Sequence, residues 1–294
     1  MADIKTRATS LDDMQKRLDL MFCKEDVTKG LSLQLRSTDI VITPFAKSGT
    51  TWLQQMVHTL RIRGDMDFDD ISRVVPWIET SSGLGIDLGA EQRANPRAFK
   101  SHLPYQAVPK GGKYINSIRN PGDALCSFHN FMEGWFLEPG AVSIDEFANK
   151  RFLHTREYWR HLKSWWKQKD EPNVLFLVYE HMLKDPTRTI QRVADFIGIP
   201  LDDELLELTL HNSSIDFMLK HVDRFDDAMV RNLSEERCNL PAGSNSAKVH
   251  QGKAGAHRKS LSTEIISKLD EVWQEEIYQT LGFQNYDALS ATID

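Results

Sequence analysis

Two hydrophobic patterns alternate along this chain: short unbroken apolar runs, and longer stretches in which apolar residues recur at helical spacing. Over residues 1–30, Leu11, Met14, Leu18 and Met21 or Phe22 fall on one face and predict a helical N-terminal extension. Asp39 to Thr43 is rich in β-branched residues and predicts a buried strand. A turn follows over Pro44 to Gly49, then a helix from Thr51 to Ile62 that turns Leu53, Met56, Val57 and Leu60 inward. Lys113 to Ile118 and Asn173 to Tyr179 predict a second and a third strand. Pro121 suits a helix start, and Gly198 ends a helix that opens at Asp185-Pro186 and turns Ile190, Val193, Ala194 and Ile197 inward. Ser262 to Leu281 reads as one terminal helix, with Ile265, Leu269, Val272, Trp273 and Ile277 inward. Strands alternating with helices predict an α/β fold, a mainly parallel sheet covered on both faces. No linker, repeat or low-complexity tract divides the chain, so the expectation is a single domain over 1–294. Ligands bind beyond the carboxyl ends of the strands in such sheets, which directs attention to the residues after Thr43, Ile118 and Tyr179.

Composition narrows the field. With 40% hydrophobic and 27% charged residues in 294, the chain can bury a large core, which excludes disordered and fibrous classes. Its 36 basic and 42 acidic residues give a net charge of −6, so it lacks the basic field of a general nucleic-acid binder and any anion site must be local. Cys23, Cys126 and Cys238 are scattered, with no Cys-x-x-Cys pair, which points to a reducing compartment and away from a zinc ribbon or disulfide framework. Asp3, Lys5, Arg7, Asp12 and Asp13 interrupt any apolar signal core. The longest strongly apolar run, Val174 to Val178, falls far short of the roughly 20 residues a membrane span needs. The expectation is a soluble cytoplasmic protein that binds neither nucleic acid nor membrane.

The strongest chemical signal is Thr43-Pro44-Phe45-Ala46-Lys47-Ser48-Gly49-Thr50-Thr51-Trp52, between a strand and a helix. Backbone N–H groups at such a helix start point at an anion, the hydroxyls of Ser48, Thr50 and Thr51 add donors, and Lys47 adds a full charge. A plain polar turn capped by Ser48 and Thr50 would leave Lys47 and Trp52 unexplained. In the ordinary nucleotide-triphosphate loop the lysine follows a glycine and immediately precedes Ser/Thr; here it precedes Ser-Gly-Thr-Thr and no glycine opens the loop.

Lys47 to Trp52 resembles the 5′-phosphosulfate loop of the cytosolic-type sulfotransferases, which use 3′-phosphoadenosine 5′-phosphosulfate (PAPS). The resemblance runs over residues 30–282. It implies a P-loop-like loop in which Lys47, Ser48, Gly49, Thr50 and Thr51 hold the 5′-phosphosulfate and Trp52 stacks on adenine. In Phe99-Lys100-Ser101-His102-Leu103-Pro104 it makes His102 the catalytic base and Lys100 a contact to the transferring group. Imidazole suits the task, because an attacking hydroxyl must lose a proton near neutral pH. In Ser117-Ile118-Arg119-Asn120-Pro121, continuing to Ser127, it gives Arg119 and Ser127 the 3′-phosphate. The planar guanidinium fits two phosphate oxygens, and Asn120 can cap a helix there without using Arg119. Tyr179 and Ser213 fall where family residues reach adenine; a strand end and a helix cap are the plain alternatives there.

The family's lid, Arg-Lys-Gly-x-x-Gly-Asp-Trp-Lys, corresponds to His250-Gln251-Gly252-Lys253-Ala254-Gly255-Ala256-His257-Arg258. Both glycines remain, the leading cations become His250 and Gln251, and Asp-Trp becomes Ala256-His257. On this register Gln251 and Gly252 join the nucleotide site, with Lys248, Lys253, Arg258 or Lys259 able to supply charge. The family's dimerisation segment lacks its Thr-Val pair and final glutamate in Arg258 to Ser267, leaving monomer and homodimer both open.

The resulting expectation is a PAPS-dependent sulfotransferase acting on a small molecule, with no metal. Lys47 would neutralise charge on the bridging oxygen, and the resemblance implies that it rests against Ser127 beforehand. A P-loop kinase using ATP and magnesium is the rival enzyme, opposed by the lysine position; a non-catalytic nucleotide-binding module is the rival of another class, opposed by Lys47 and His102. The acceptor is sought in two acidic and aromatic stretches. One holds Asp65, Asp67, Asp69 and Asp70 and runs to Trp77 and Glu79; the other holds Glu133, Trp135, Phe136 and Glu138. A solvated acidic face is the plain reading. The sharper one makes Trp77, Glu79 and Glu133 acceptor contacts and the acceptor polar or cationic, such as an amine or guanidinium natural product.

Overall fold

The computed structural model describes residues 5–244, 254–255 and 257–293. Among them, β1 (Ile40–Ile42), β2 (Ala98–Lys100), β3 (Lys113–Ile118) and β4 (Val174–Val178) form one parallel sheet in the order β2-β1-β3-β4. The chain leaves β1 for β2 on one side and returns to β3 on the other. The strand order therefore reverses between β1 and β3, and a crevice opens there beyond their carboxyl ends.

Alternation along each strand divides the core into two layers. Ile40, Ile42, Ala98, Ile115, Leu175 and Leu177 face the helices Thr50–Ile62 and Pro186–Ile197, which contribute Leu53, Met56, Val57, Leu60, Ile190, Val193, Ala194 and Ile197. Val41, Phe99, Tyr114, Ile118, Phe176 and Val178 face the helices Pro121–Trp135, Glu157–Trp166 and Thr263–Trp273, through side chains such as Leu125, Trp159, Trp165 and Ile265. This matches the predicted α/β architecture, with β2 as a further short strand and with local differences. Tyr179 is not the end of the third strand but the first residue of a helix, Tyr179–Lys184. The terminal helix starts at the Ser262 cap but passes through a π segment, Gln274–Tyr278, before Gly282 stops it at φ 80°. The N-terminal stretch is two helices, Leu11–Met21 and Lys24–Leu31.

Those two helices are built into the body of the fold. Ala8 is fully buried, its N–H donating to the Phe136 carbonyl at 2.8 Å and its carbonyl accepting from Glu138 N–H at 2.8 Å. Gly30 packs against the helix Ile78–Ser81 so closely that an added Cβ would lie 2.1 Å from the Ile78 carbonyl oxygen. Gly30→Ala tests that contact. Alanine gains about 1 kcal/mol of helix propensity, but the clash is with backbone that cannot rotate away, and overpacking costs about 1–3 kcal/mol. A net lower Tm is expected, and a raised Tm would mean that the two helices separate freely.

Candidate active site

The loop after β1 is shaped by two left-handed residues. Lys47 has φ 68° and Gly49 φ 97°, and Gly49 caps the helix Thr50–Ile62. A Cβ on Gly49 would meet the Tyr179 ring at 3.0 Å, so glycine is required by both backbone and space. The Ser48 carbonyl accepts from Ser117 Oγ at 2.5 Å, and the Lys47 carbonyl accepts from Arg119 Nη1 at 2.9 Å. The loop after β1 is thus tied to β3 and to the residue that follows it. Ser48 Oγ, Thr50 Oγ1 and Trp52 Nε1 are buried with no partner among the described residues. Unsatisfied donors gathered at the start of a 13-residue helix suit an anionic ligand.

Arg119 leaves β3 half-buried, its guanidinium 4.5 Å from the centre of the Tyr179 ring. Asn120 caps the next helix, its Oδ1 accepting from the Gly122 N–H at 2.9 Å, and capping leaves Arg119 to the crevice. Ser127 comes two turns into that helix and faces the same cavity. Trp52 stands edge-on to Tyr179, with ring centres 5.9 Å apart. Ser213 Oγ donates to the Thr209 carbonyl at 2.5 Å, so toward a ligand its hydroxyl accepts.

His102 follows β2. Its backbone N–H donates to Glu79 Oε1 at 2.9 Å, and its Nδ1 lies 2.9 Å from the Pro44 carbonyl. A carbonyl only accepts, so Nδ1 carries the proton and the lone pair falls on Nε2. Lys100, two residues earlier, is 2% exposed and ion-paired at 2.9 Å with Asp227, which is fully buried. The Lys47 ammonium stands 4.5 Å over the Phe131 ring. Burial first, then the charges of Arg119 and Lys100, lower Lys47 from 10.5 to about 7.

These groups share one cavity of about 650 Å³. Lys47, Gly49, Thr50, Thr51, Trp52, Lys100, His102, Arg119, Ser127, Tyr179 and Ser213 all line it, continuing into an apolar chamber of Leu18, Met21, Phe22, Trp77, Phe131 and Trp135.

The family model described as Sulfotransferase domain matches residues 37–281. The chain belongs to the sulfotransferase family. It is 31% identical over 260 residues to dog sulfotransferase 1B1, covering 83% of this chain and 85% of that protein. It is 27% identical over 257 residues to a rabbit amine sulfotransferase, with 83% and 82% covered. The fold is that of a retinol dehydratase solved with retinol and PAP, at TM-score 0.68, 19% identity and 94% and 97% coverage. It is equally that of a mouse sulfotransferase complexed with PAP, at TM-score 0.65, 23% identity and 88% and 91% coverage. The enzyme class is PAPS-dependent sulfuryl transfer, with PAP as product. Among the described residues no helix is long and apolar enough to cross a membrane.

Several expected site residues of this sulfotransferase lie elsewhere. Glu79 is behind His102 rather than in the cavity: Oε1 also accepts from Ser101 Oγ at 3.0 Å, and burial pushes its carboxyl up. Glu133 is absent from the cavity lining; its Oε1 accepts from Gly140 N–H at 2.9 Å. Asp65 and Asp67 pair with Arg93 at 2.6 and 3.4 Å, and Asp69 with Arg73 at 2.6 Å. Asp70 caps a short helix, accepting from Ser72 N–H at 2.8 Å and from Met229 N–H at 3.0 Å. The carboxylates offered for a cationic acceptor are therefore spent on structure, while Trp77, Trp135 and Phe136 do line the cavity. No hydrogen bond joins Lys47 to Ser127 among the described residues; the lysine rests on Phe131 instead.

Gln251 and Gly252 lie outside the described residues, as do His250, Lys253 and Ala256. Beyond them, Asp123 accepts from Gly255 N–H at 2.6 Å, His257 N–H at 3.0 Å and His257 Nδ1 at 2.8 Å. Burial alone would push the Asp123 carboxyl up, but these bonds outweigh it and hold it at about 2. The sequence reading missed the cavity wall supplied by Gln15, Leu18, Asp19, Met21 and Phe22. Their apolar stripe was visible, but periodicity cannot distinguish a stripe that meets core from one that meets a cavity.

Proposed function

We propose that this sulfotransferase acts on the hydroxyl of a flat, largely apolar small molecule, with His102 as general base. The reading is carried by the bond from His102 Nδ1 to the Pro44 carbonyl, which keeps the basic lone pair on Nε2 in the cavity that also holds the Lys47 loop. PAPS supplies the activated sulfuryl group. Ser48, Gly49, Thr50 and Thr51 bind its 5′ end, where the partnerless buried hydroxyls of Ser48 and Thr50 gain acceptors. Arg119 and Ser127 take the 3′-phosphate; Trp52, Tyr179 and Ser213 take adenine; Gln251 and Gly252 are assigned to the lid. His102 Nε2 accepts the acceptor's hydroxyl proton as its oxygen bonds to sulfur and the bond from sulfur to the 5′-phosphate oxygen breaks, releasing PAP, while Lys100 steadies the transferring group and Lys47 the departing bridging oxygen.

The Lys47 role has a pH signature. Its amine is charged below about 7 and loses that charge as pH rises through about 7. An anionic nucleotide therefore binds with proton uptake above that pH. Calorimetric affinity for PAP should fall as pH rises above about 7, and fall less in Lys47→Arg, which stays charged. A wild-type affinity flat across that range would remove Lys47 from the 5′ site.

The acceptor reading follows from the chamber. A neutral aromatic acceptor packs against Phe22, Trp77 and Phe131, and its own apolar area removed from water gains about 25 cal/mol per Å². A cationic acceptor is the second reading, favoured by Asp19, the one carboxylate among the described lining residues, exposed beside Gln15. Initial rates with PAPS should give a higher kcat/KM for a neutral phenol than for an amine of similar size. The opposite order, abolished by Asp19→Asn, would establish the second reading.

A further inference from the structure

Lys100 and Asp227 are both buried, yet they lie 127 residues apart in the sequence. Lys100 Nζ lies 2.9 Å from Asp227 Oδ2 and 4.7 Å over the Trp77 ring, and Lys100 lines the cavity. The other carboxylate oxygen, Oδ1, accepts from Ser72 Oγ at 2.8 Å. Asp227 holds this place in a left-handed conformation, φ 47° and ψ 49°, which a non-glycine residue adopts at a cost. Its neighbourhood is stapled: Asp70 receives N–H groups from both Ser72 and Met229, binding the segment after β1's helix to the segment around Asp227.

We propose that Asp227 is a positioning residue for sulfuryl transfer, acting through Lys100 and held in register by Ser72. A four-carbon side chain with a point charge has many rotamers, and a lysine that must meet a sulfuryl oxygen gains from being aimed in advance. A carboxylate with one oxygen on a hydroxyl and the other on the ammonium provides that aim. It also gives the buried ammonium its countercharge. The sequence motif containing Lys100 and His102 is thereby completed by a residue no local pattern connects to it. This rests on the assignment of Lys100 to the transferring group.

Four variants test it: Lys100→Met, Asp227→Asn, the double Lys100→Met/Asp227→Asn, and Ser72→Ala. Each is assayed with PAPS and para-nitrophenol, with PAP affinity by calorimetry and Tm as folding checks. Lys100→Met should lower kcat by about 10²–10³, as loss of a charge-stabilising donor does. Asp227→Asn should lower kcat by about 10² through misplacement of that donor, with PAP affinity unchanged. Asp227→Asn should add nothing in the Lys100→Met background, because the two act as one unit. Ser72→Ala, which removes no charge, should lower kcat by a smaller factor with acceptor KM and Tm near wild type; it carries the test if Asp227→Asn does not fold. Wild-type kcat in Asp227→Asn or Ser72→Ala, or a loss that multiplies in full onto Lys100→Met, would overturn the proposal. Wild-type kcat in Lys100→Met would instead remove Lys100 itself from the reaction.

Discussion

His102→Ala is expected to lower kcat by about 10²–10⁴, the usual worth of a general base, while leaving PAP affinity at its wild-type value. The separation follows from the site's layout. His102 follows β2, while the residues assigned to the two phosphate ends of the nucleotide follow β1 and β3. His102 is anchored twice from behind, its backbone N–H on Glu79 and its ring Nδ1 on the Pro44 carbonyl. Removal of the ring leaves the backbone bond to Glu79 in place, so the loop keeps its course. His102→Gln, which can donate to Pro44 but has no basic nitrogen, should be as inactive as alanine. Rapid-quench turnover beside PAP calorimetry reads both quantities. A variant that keeps wild-type kcat would remove His102 from the mechanism; one that loses PAP affinity in proportion would make it a nucleotide residue instead.

The second large effect is on stability and lies at the opposite end of the sheet. Arg97 and Asp39 immediately precede β2 and β1, and they pair in two parallel bonds, Nη2 to Oδ2 at 2.5 Å and Nε to Oδ1 at 3.0 Å. Their side chains are 2% and 0% exposed. Asp39 also accepts from Arg36 N–H at 2.8 Å, and Arg97 Nη1 donates to the Leu88 carbonyl at 3.1 Å. Arg97→Leu leaves a carboxylate buried without its cation and should cost about 3–5 kcal/mol in urea unfolding. Arg97→Lys should recover only part of that, since an ammonium cannot make the paired bonds. The double variant Asp39→Asn/Arg97→Leu should lose less than Arg97→Leu alone, because no lone charge stays buried. Equal losses in the two would show that packing of the arginine stem, not its charge, holds the strands.

The sequence alone determined what is local. Ile40, Val41 and Ile42 are β-branched and flanked by turn residues, so a buried strand was legible there. The composition of the loop after it was legible too, with hydroxyls, glycine and lysine gathered in one turn; the proposed anion cradle also needs the ties to Ser117 and Arg119 that the fold supplies. Strands alternating with helices implied a parallel sheet, but the order β2-β1-β3-β4, which brings the loops after β1 and β3 together, was decided by the tertiary structure. Tertiary structure alone decided the partners of charge. Whether Asp65, Asp67 and Asp69 face an acceptor or pair with Arg93 and Arg73, whether Glu79 faces the cavity or supports His102, and that Asp227 meets Lys100 are contacts fixed by packing. A carboxylate's preference for its surroundings is strong but carries no sequence period, so nothing in the one-dimensional pattern records which cation it meets. The same holds for Leu18, Met21 and Phe22. Their spacing specified an apolar helix face, and only the placement of that helix over the crevice turned the face into a wall of the cavity.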